Sequence, residues 1–360
     1  MKILVVGAGN IGRGIYHFFA DSGEQSLLTI IDNDSDRLFY LDGANAHVVE
    51  DFFQSPSKYL PEYDYVFMCV PVYDVQVVHN IVAACEAAGT HYIDFSEDVA
   101  VRRELNKMNP QKILVAPGCG LAPGMIQVIT HDLTKRFDDV EKIEAHVGAL
   151  PLHVANDLLY HVTWSVDGVV NEYTKPLDYI QNGKRKSNYM LDHNPVNVII
   201  NGKPYESFPT SGGFGTLVDE WDGKAKDVIY RTLRYSGHFW QVKSYLWQHY
   251  GDKGTEAERD KASLRRALAA TTPLRRIEDR VVISATVVGT KDMERRCDTI
   301  ALEVGSTRQV TAIQRTTAAG GCMVFKLHRE GKLKGVGVLR HEEIECVDAV
   351  NTRAFHWGYK

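Results

Sequence analysis

The stretch KILVVGAGNIGRGIYHFFADSGEQSLLTIID (2–32) decides the fold. It opens with the β-branched run KILVV (2–6), passes through a glycine loop into a helical segment from Ile11 to Ser22, and closes with a second apolar run, LLTIID (27–32). Gly7, Gly9 and Gly12 hold the GxGxxG spacing where the first run meets the helical segment, with Asn10 and Ile11 inside the motif. In that setting Gly7 serves a tight turn, Gly9 lets the backbone approach a pyrophosphate, and Gly12 lets the helix pack closely on its strand. Free N–H groups and the dipole at the helix start favour the phosphate anion. Asp32 ends the second run, where a carboxylate accepts hydrogen bonds from the adenosine ribose and repels a 2′-phosphate. The segment reads as a βαβ start that binds NAD, and Arg37 nearby keeps NADP open as the second choice.

Working outward, YDYVFMCV (63–70), HYIDF (91–95) and KILVAP (112–117) alternate with helical stretches at 75–88 and 99–109. This is the pattern of a Rossmann-type α/β fold, a doubly wound parallel sheet flanked by helices. Val77, Val78, Ile81, Val82 and Cys85 recur at helical spacing and form a stripe for packing on that sheet. Ligands of such sheets lie outside the carboxyl ends of the strands. Three loops are therefore expected along the nicotinamide: Val70, Pro71, Val72 and Tyr73; Asp94 to Glu97; and Gly118 to Gly124, with Gly118, Gly120 and Pro123 as contacts.

After Pro123 the segments lengthen and carry more aromatics and polar turns, which predicts a separate α+β domain. Within it, 281–290 and 298–305 alternate and predict a β-hairpin joined by the charged turn KDMERR. Residues 307–327 read as a helix despite a glycine pair, and 252–267 as an exposed, charge-dense helix or loop.

At 360 residues the chain exceeds what one compact core fills, and its 44% hydrophobic and 24% charged content is that of an ordinary globular protein. A net charge of -5 argues against nucleic acid as the main ligand. No apolar run approaches the roughly 20 residues of a membrane span, and the N-terminus enters a strand with no signal-like leader, so a cytoplasmic location is expected. The six cysteines are scattered without CxxC pairs, so neither a disulfide framework nor a metal site is signalled.

From APGCGLAPGM (116–125) onward the chain resembles the saccharopine dehydrogenase family. The GxGxxG start, YIDFSE, GLAPGM, VGALP, TWSVDGVVNEYTKP followed by NGK, TSGG and RTLRYSGH occur in the family's order. It is most similar to the lysine 6-dehydrogenase branch, which uses NAD. The resemblance implies that the chain leaves a Rossmann domain (1–122) after GLAPG and rejoins it by about 320–360. Residues 123–319 then form a domain for substrate binding and dimerisation. It also implies oxidation at a C–N bond of an amino acid or diamine, and a homodimer. Saccharopine reductases carry an arginine beyond the WS…G segment, whereas here NEYTKP offers only Lys175, which points to a smaller substrate. The alternatives are a saccharopine or carboxynorspermidine-type reductase that joins an amine to an aldehyde, and a catalytically silent NAD-binding sensor.

Hydride leaves an amine-bearing carbon only when the nitrogen lone pair is free, so the site needs a proton acceptor. It also needs a group to orient the amine: Asp94, at a strand end expected to face the nicotinamide, is the first choice for holding the amine, against a plain helix cap, and Glu97 is the residue that could share the task, against a solvated helix-start glutamate. His238 is the candidate relay, against a helix-start residue. An α-carboxylate calls for a two-pronged cation. Arg231 and Arg234 lie on opposite faces if their segment is a strand, and Arg234 is the choice. Tyr173, Trp164 and Tyr235 are expected to wall the pocket or fill the core. Thr210, Ser211 and Gly212 either bind the substrate carboxylate or only make a turn. Cys119 has no visible partner base and is assigned to packing.

Overall fold

The computed structural model describes residues 1–39, 41–247, 249, 254–272 and 276–360. The chain folds as two units, one made of residues 1–128 with 314–360, the other of residues 129–313.

In the first unit β1 (Ile3–Val6), β2 (Leu28–Asp32), β3 (Asn45–Val48), β4 (Tyr65–Met68), β5 (His91–Asp94) and β6 (Leu114–Ala116) join a short strand, Gly337–Val338, in one parallel sheet. The order runs from Gly337–Val338 through β6, β5, β4, β1 and β2 to β3. Strand order reverses at β1 and β4, the switch point at which such sheets bind dinucleotides. β1, β2 and β4 are buried along their whole length, which is why they read as unbroken apolar runs. The edge strand β3, sequence NAHV, has every residue exposed and was not expected.

Helices α1 (Asn10–Ala20), α2 (Ser35–Leu38), α3 (Val75–Ala88) and α4 (Val99–Leu105) connect the strands. α3 buries Val78, Ile81, Val82 and Cys85 and ends on Gly89 in the left-handed region. α4 stops at Leu105, short of the expected Asn109.

The chain leaves the first unit within α5 (Met125–Thr134). The second unit holds β7 (Asp139–Pro151), β8 (Leu177–Gln181), β9 (Lys184–Asn188), β10 (Val196–Ile200), β11 (Lys203–Pro209), β12 (Asp227–Arg234), β13 (Asp279–Lys291) and β14 (Glu294–Gly305). Their sheet runs β10, β11, β12, β7, β13, β14, with β8 also paired to β12 and β9 to β8. β12 and β7 are parallel; the other pairs are antiparallel. The expected hairpin is β13–β14, but KDMERR is not its turn. Lys291 pairs with Glu294 and Thr290 with Arg295, leaving only Asp292 and Met293, both at positive φ, to reverse the chain. Asn182-Gly183 and Asn201-Gly202 turn β8–β9 and β10–β11 in the same way.

Helices α6 (Val166–Thr174), α7 (Leu217–Glu220), α8 (His238–Leu246) and α9 (Thr255–Ala270) complete this unit. Leu158, Tyr160, Val169, Tyr173, Phe208, Phe239, Val242, Leu264 and Leu268 form a core between α6, α8, α9 and the sheet. α9 is the expected charge-dense segment, exposed on one side and burying Ala257, Leu264 and Leu268 on the other; residues 252 and 253 lie outside the described residues.

Helix α10 (Ala312–Arg329) returns the chain to the first unit. It starts at Ala312 rather than at Thr307 because the buried Asp279 carboxylate accepts the N–H groups of Ala312 (2.6 Å) and Ile313 (3.1 Å). Its glycine pair has a packing cause. A Cβ on Gly320 would lie 2.5 Å from the Cys119 and Gly120 carbonyl oxygens, and one on Gly321 would lie 2.5 Å from the Phe95 ring. Among the described residues no helix is long and apolar enough to cross a membrane.

Candidate functional site

The three glycines of the first loop stand in different surroundings. Gly7 has a φ of +99°, and a Cβ there would stand 2.6 Å from Val70 Cγ2; on Gly12 it would stand 1.9 Å from the Gly7 carbonyl oxygen. Among the described residues a Cβ on Gly9 meets nothing within 4 Å, so no contact there requires that glycine. Gly9 is the N-cap of α1, and no side chain caps the helix. Asn10 is exposed and Ile11 half-buried beside it. An open glycine at an uncapped helix start fits a pyrophosphate, whose oxygens accept the N–H groups and whose bulk needs the space.

Asp32 does more than wait for a ribose. Its Oδ2 accepts the Ala8 N–H at 2.7 Å and its Oδ1 the Asp34 N–H at 3.0 Å, tying the glycine loop to the end of β2. The half-exposed Arg37 lies 3.7 Å from Asp32 and 3.3 Å from Asp34. Each Asp32 oxygen has lone-pair capacity left for a ribose hydroxyl.

The three expected loops do sit at the carboxyl ends of β4, β5 and β6. Val70 and Val72 are half-buried and Pro71 exposed. Gly118, at positive φ, would press a Cβ against Pro123 and the Ser96 carbonyl; Gly124 would press one against Gly120. Asp94 corrects the sequence reading. Its carboxylate is buried and accepts the Gly118 N–H (2.7 Å), the Ser96 N–H (2.9 Å) and the Tyr92 hydroxyl (2.9 Å), while its carbonyl takes the Cys119 N–H (2.7 Å). Burial raises its proton affinity against these donors and Arg102, which lower it. Three donors on a buried carboxylate make Asp94 the staple between the second and third loops. The helix cap is Asp98, which accepts the Ala100 and Val101 N–H groups.

Glu97 differs. It is half-buried, and its Oε1 accepts the Tyr73 hydroxyl at 3.2 Å, linking the first and second loops. Burial lifts its pKa, opposed by hydrogen bonds that include Tyr73's and reinforced by Asp98. Cys119 donates to the Ala116 carbonyl, and burial holds its thiol well above the usual range, so it has no nucleophilic thiolate.

In the second unit, β12 sends Arg231 to Glu144 (2.8 Å) and Arg234 to Glu172 of α6 (3.2 Å). Arg234 is buried. Its Nε donates to the Tyr173 hydroxyl (2.8 Å), its Nη1 to the Leu233 carbonyl (2.9 Å), and its guanidinium carbon stands 4.5 Å from the Tyr160 ring centre. His238 also corrects the sequence reading. Its Nδ1 meets the Leu158 carbonyl at 2.6 Å and its Nε2 the Tyr173 hydroxyl at 2.9 Å. Burial, then the charge of Arg234, pull its pKa down to about 3. With both nitrogens engaged and no exposure, His238 is a fixed neutral link rather than a proton relay to substrate.

The TSGG loop is likewise internal. Thr210 bonds Thr232 (2.7 Å), and Ser211 donates through its hydroxyl to the Pro176 carbonyl (2.7 Å) and through its N–H to the Glu172 carbonyl (3.0 Å). Gly212 takes a positive φ, and a Cβ on Gly213 would stand 2.2 Å from the Tyr230 ring. Thr210 and Ser211 brace α6 against β12. Tyr235 donates to the Pro151 carbonyl, and Trp164 packs at the margin of the core. Sequence reading missed Glu172, although it precedes Tyr173 in the quoted NEYTKP. It also missed Glu206, whose carboxylate accepts the Gly237 and Phe239 N–H groups at the start of α8.

Two family models match the chain, the saccharopine dehydrogenase NADP binding domain over residues 3–114 and the saccharopine dehydrogenase C-terminal domain over residues 120–353. The mitochondrial alpha-aminoadipic semialdehyde synthase of Rattus norvegicus is 26% identical over 257 residues, 66% of this chain and 27% of that protein. The Bos taurus protein of the same description is 26% identical over 196 residues, 51% of this chain and 21% of that protein. The chain thus matches only about a quarter of the length of these relatives. Among solved structures, the saccharopine dehydrogenase (L-Glu forming) of Saccharomyces cerevisiae superposes with a TM-score of 0.73 at 18% identity, covering 97% of this chain and 96% of that one. The Legionella pneumophila homospermidine synthase, solved with NAD, gives 0.71 at 11% identity, covering 100% and 90%.

Proposed function

We infer the reaction from one premise: the chain belongs to the saccharopine dehydrogenase family. Within it we propose an NAD-dependent oxidoreductase that acts on the C–N bond of an amino-acid amine, in the manner of a lysine 6-dehydrogenase. A terminal R–CH2–NH3+ gives up one proton and one hydride to become R–CH=NH2+, and water converts that to the aldehyde and ammonium. The Gly7–Gly12 loop and Asp32 would hold NAD, which would supply the hydride acceptor. Asp32 favours NAD over NADP through its charge beside the ribose.

The observation that carries this reading is Glu97. Its carboxyl sits at the strand ends where the nicotinamide is expected, desolvated enough that its proton affinity is raised, and steadied by Tyr73. A general base works best with a pKa drawn toward the operating pH. Glu97 takes the proton from the substrate ammonium and so frees the nitrogen lone pair. Asp94 holds the neighbouring loops in register.

The test is a panel of lysine, ornithine, diaminobutyrate, diaminopimelate and saccharopine, each with NAD or NADP, followed by absorbance of the reduced cofactor. Oxidation of lysine with NAD is expected. Oxidation of saccharopine alone would replace the deaminase reading with the reductase one. Glu97→Gln should lower kcat by roughly 10²–10⁴ and abolish the acid limb of the pH profile, with NADH binding retained.

A further inference from the structure

The sheet of the second unit curls back on itself. Three strands, β12, β7 and β13, separate β11 from β14 in the sheet order, a span of about 19 Å if the sheet were flat. Lys203 of β11 nevertheless meets both oxygens of Glu303 of β14, at 2.7 and 2.9 Å, and Arg280 joins Glu303 at 3.2 Å. The pairing register and the two-residue pleat put Lys203, Leu233, His146, Val282 and Glu303 on one face. Side chains of that face meet across the curl, so it is the concave one. One end of it is apolar, filled by Leu150, Tyr205, Leu233 and Val282.

The other end is polar. Glu144 accepts Arg231 Nε at 2.8 Å and lies 2.6 Å from Lys142 Nζ. His146, which pairs with Arg231 in the register, brings its Nε2 to 3.8 Å from the same carboxylate, too far for a hydrogen bond. His146 is 8% exposed, and neither ring nitrogen has a hydrogen-bond partner among the described residues. A solvated charged surface explains Lys142, but not an imidazole withdrawn from water with both nitrogens unmet. Nor do the charges cancel. Two cations stand against one carboxylate, and His146 is uncharged at neutral pH, burial first holding its pKa down at about 4. Donors are in surplus as well: Arg231 engages Glu144 through Nε, and Nη1 and Nη2 have no acceptor among the described residues.

We propose that Arg231, Lys142 and His146 form a binding site for a small oxyanion, a phosphate or a carboxylate, on the concave face of this sheet. The anion lies across the two Nη groups in the two-pronged manner a guanidinium favours, takes one N–H from His146 and one from Lys142, and cancels the surplus positive charge. Glu144 is a positioning residue that holds Arg231 and Lys142 side by side. An ammonium ligand would meet like charge, and an apolar one would leave the donors covered and unmet. Arg231 and Arg234 lie three apart on β12 and so on opposite faces, which separates this site from the bonds of Arg234 and His238 to Tyr173. The inference stands independently of the amine-oxidising reading.

Calorimetric titration of the intact protein with inorganic phosphate tests the site, at pH 7 and constant ionic strength, with NADH present to occupy the glycine loop. Saturable binding of one phosphate per chain is expected. His146→Ala and Arg231→Gln should each weaken it by at least about tenfold, the loss that follows removal of a hydrogen bond to a charged group. Should Arg231→Gln fail to fold, Lys142→Gln, at a side chain 42% exposed, should weaken phosphate by about two- to tenfold. Acetate tells the two sources apart, displacing phosphate if the site takes carboxylates and leaving it bound if the site is confined to phosphoryl groups. Absence of saturable binding overturns the proposal, as does binding that both variants leave unchanged, which marks an adventitious ion only. A wild-type dimer that binds no phosphate and that His146→Ala or Arg231→Gln dissociates in sedimentation velocity also overturns it, because a second copy would then be what covers His146.

Discussion

The Tyr173 hydroxyl donates to Nε2 of His238 across 2.9 Å, and the direction is fixed from both ends. A carbonyl can only accept, so the 2.6 Å contact with Leu158 puts the ring proton on Nδ1 and leaves Nε2 as the acceptor. On its other side the same hydroxyl oxygen accepts the Arg234 Nε–H. Tyr173→Phe leaves a buried donor and a buried acceptor unpaired, and should cost the second unit about 1–3 kcal/mol. Calorimetric unfolding should show a lower Tm with NADH affinity unchanged; an unaltered Tm would show that the link carries no stability.

Gly9 and Gly12 separate ligand contact from packing. Gly12→Ala drives a methyl into the Gly7 carbonyl 1.9 Å away and should destabilise the first unit by roughly 1–3 kcal/mol or more. Gly9→Ala meets no atom within 4 Å among the described residues, so stability should stay within about 1 kcal/mol. Affinity for NADH, read by fluorescence titration, should still fall by more than about tenfold. Undiminished NADH binding by Gly9→Ala would place the pyrophosphate elsewhere.

Asp32, which braces the glycine loop through Ala8, is the residue on which the proposed preference for NAD rests. Asp32→Asn keeps one oxygen acceptor and removes the charge. It should weaken NADH by about tenfold and narrow the NADH-to-NADPH affinity ratio, since the repelled 2′-phosphate no longer meets a carboxylate and Arg37 remains nearby. A ratio that widens would count against Asp32 as the discriminating group.

Acid should destabilise both units. Burial first, with Arg234 beside His238 and Arg102 near His341, lowers these histidines to about 3 and about 4. His146 falls to about 4, burial outweighing the opposing Glu144. Their unfolded values lie near 6.5, so between that pH and about 4 the unfolded chain binds more protons. Stability then rises with pH, fully present above about 6.5 and lost as pH falls, by up to about 1.4 kcal/mol per pH unit for each buried ring. Urea unfolding at pH 5 and 7 measures it, and greater stability at pH 5 would contradict the assignment.

The nucleotide half was legible because its central strands are buried on both faces and Gly7 and Gly12 stand where backbone geometry demands glycine. β3 was not, since NAHV at an exposed edge carries no pattern. Asn182-Gly183 and Asn201-Gly202 were readable hairpin turns that went unread; Asp292-Met293 was not readable, because non-glycine residues rarely take positive φ. Among the candidate site residues, side-chain type identified which groups are polar but not what they touch. Asp94 and His238 have the right chemistry and the wrong surroundings, each bonded to neighbours that no spacing rule reveals. Glu172 lay unremarked because its partner, Arg234, is 62 residues away in sequence.

The first unit is assembled from two separate lengths of chain, and that orders its synthesis. When a ribosome has released residues 129–313, every residue of the second unit is available, while α10 and Gly337–Val338 of the first have yet to emerge. Until they do, the Cys119–Gly120 carbonyls and the Phe95 ring lack the glycine face of α10 that packs on them. The later-encoded unit is therefore the first able to close its core. The nascent nucleotide-binding sheet must wait with an apolar face exposed, the condition that invites chaperone capture.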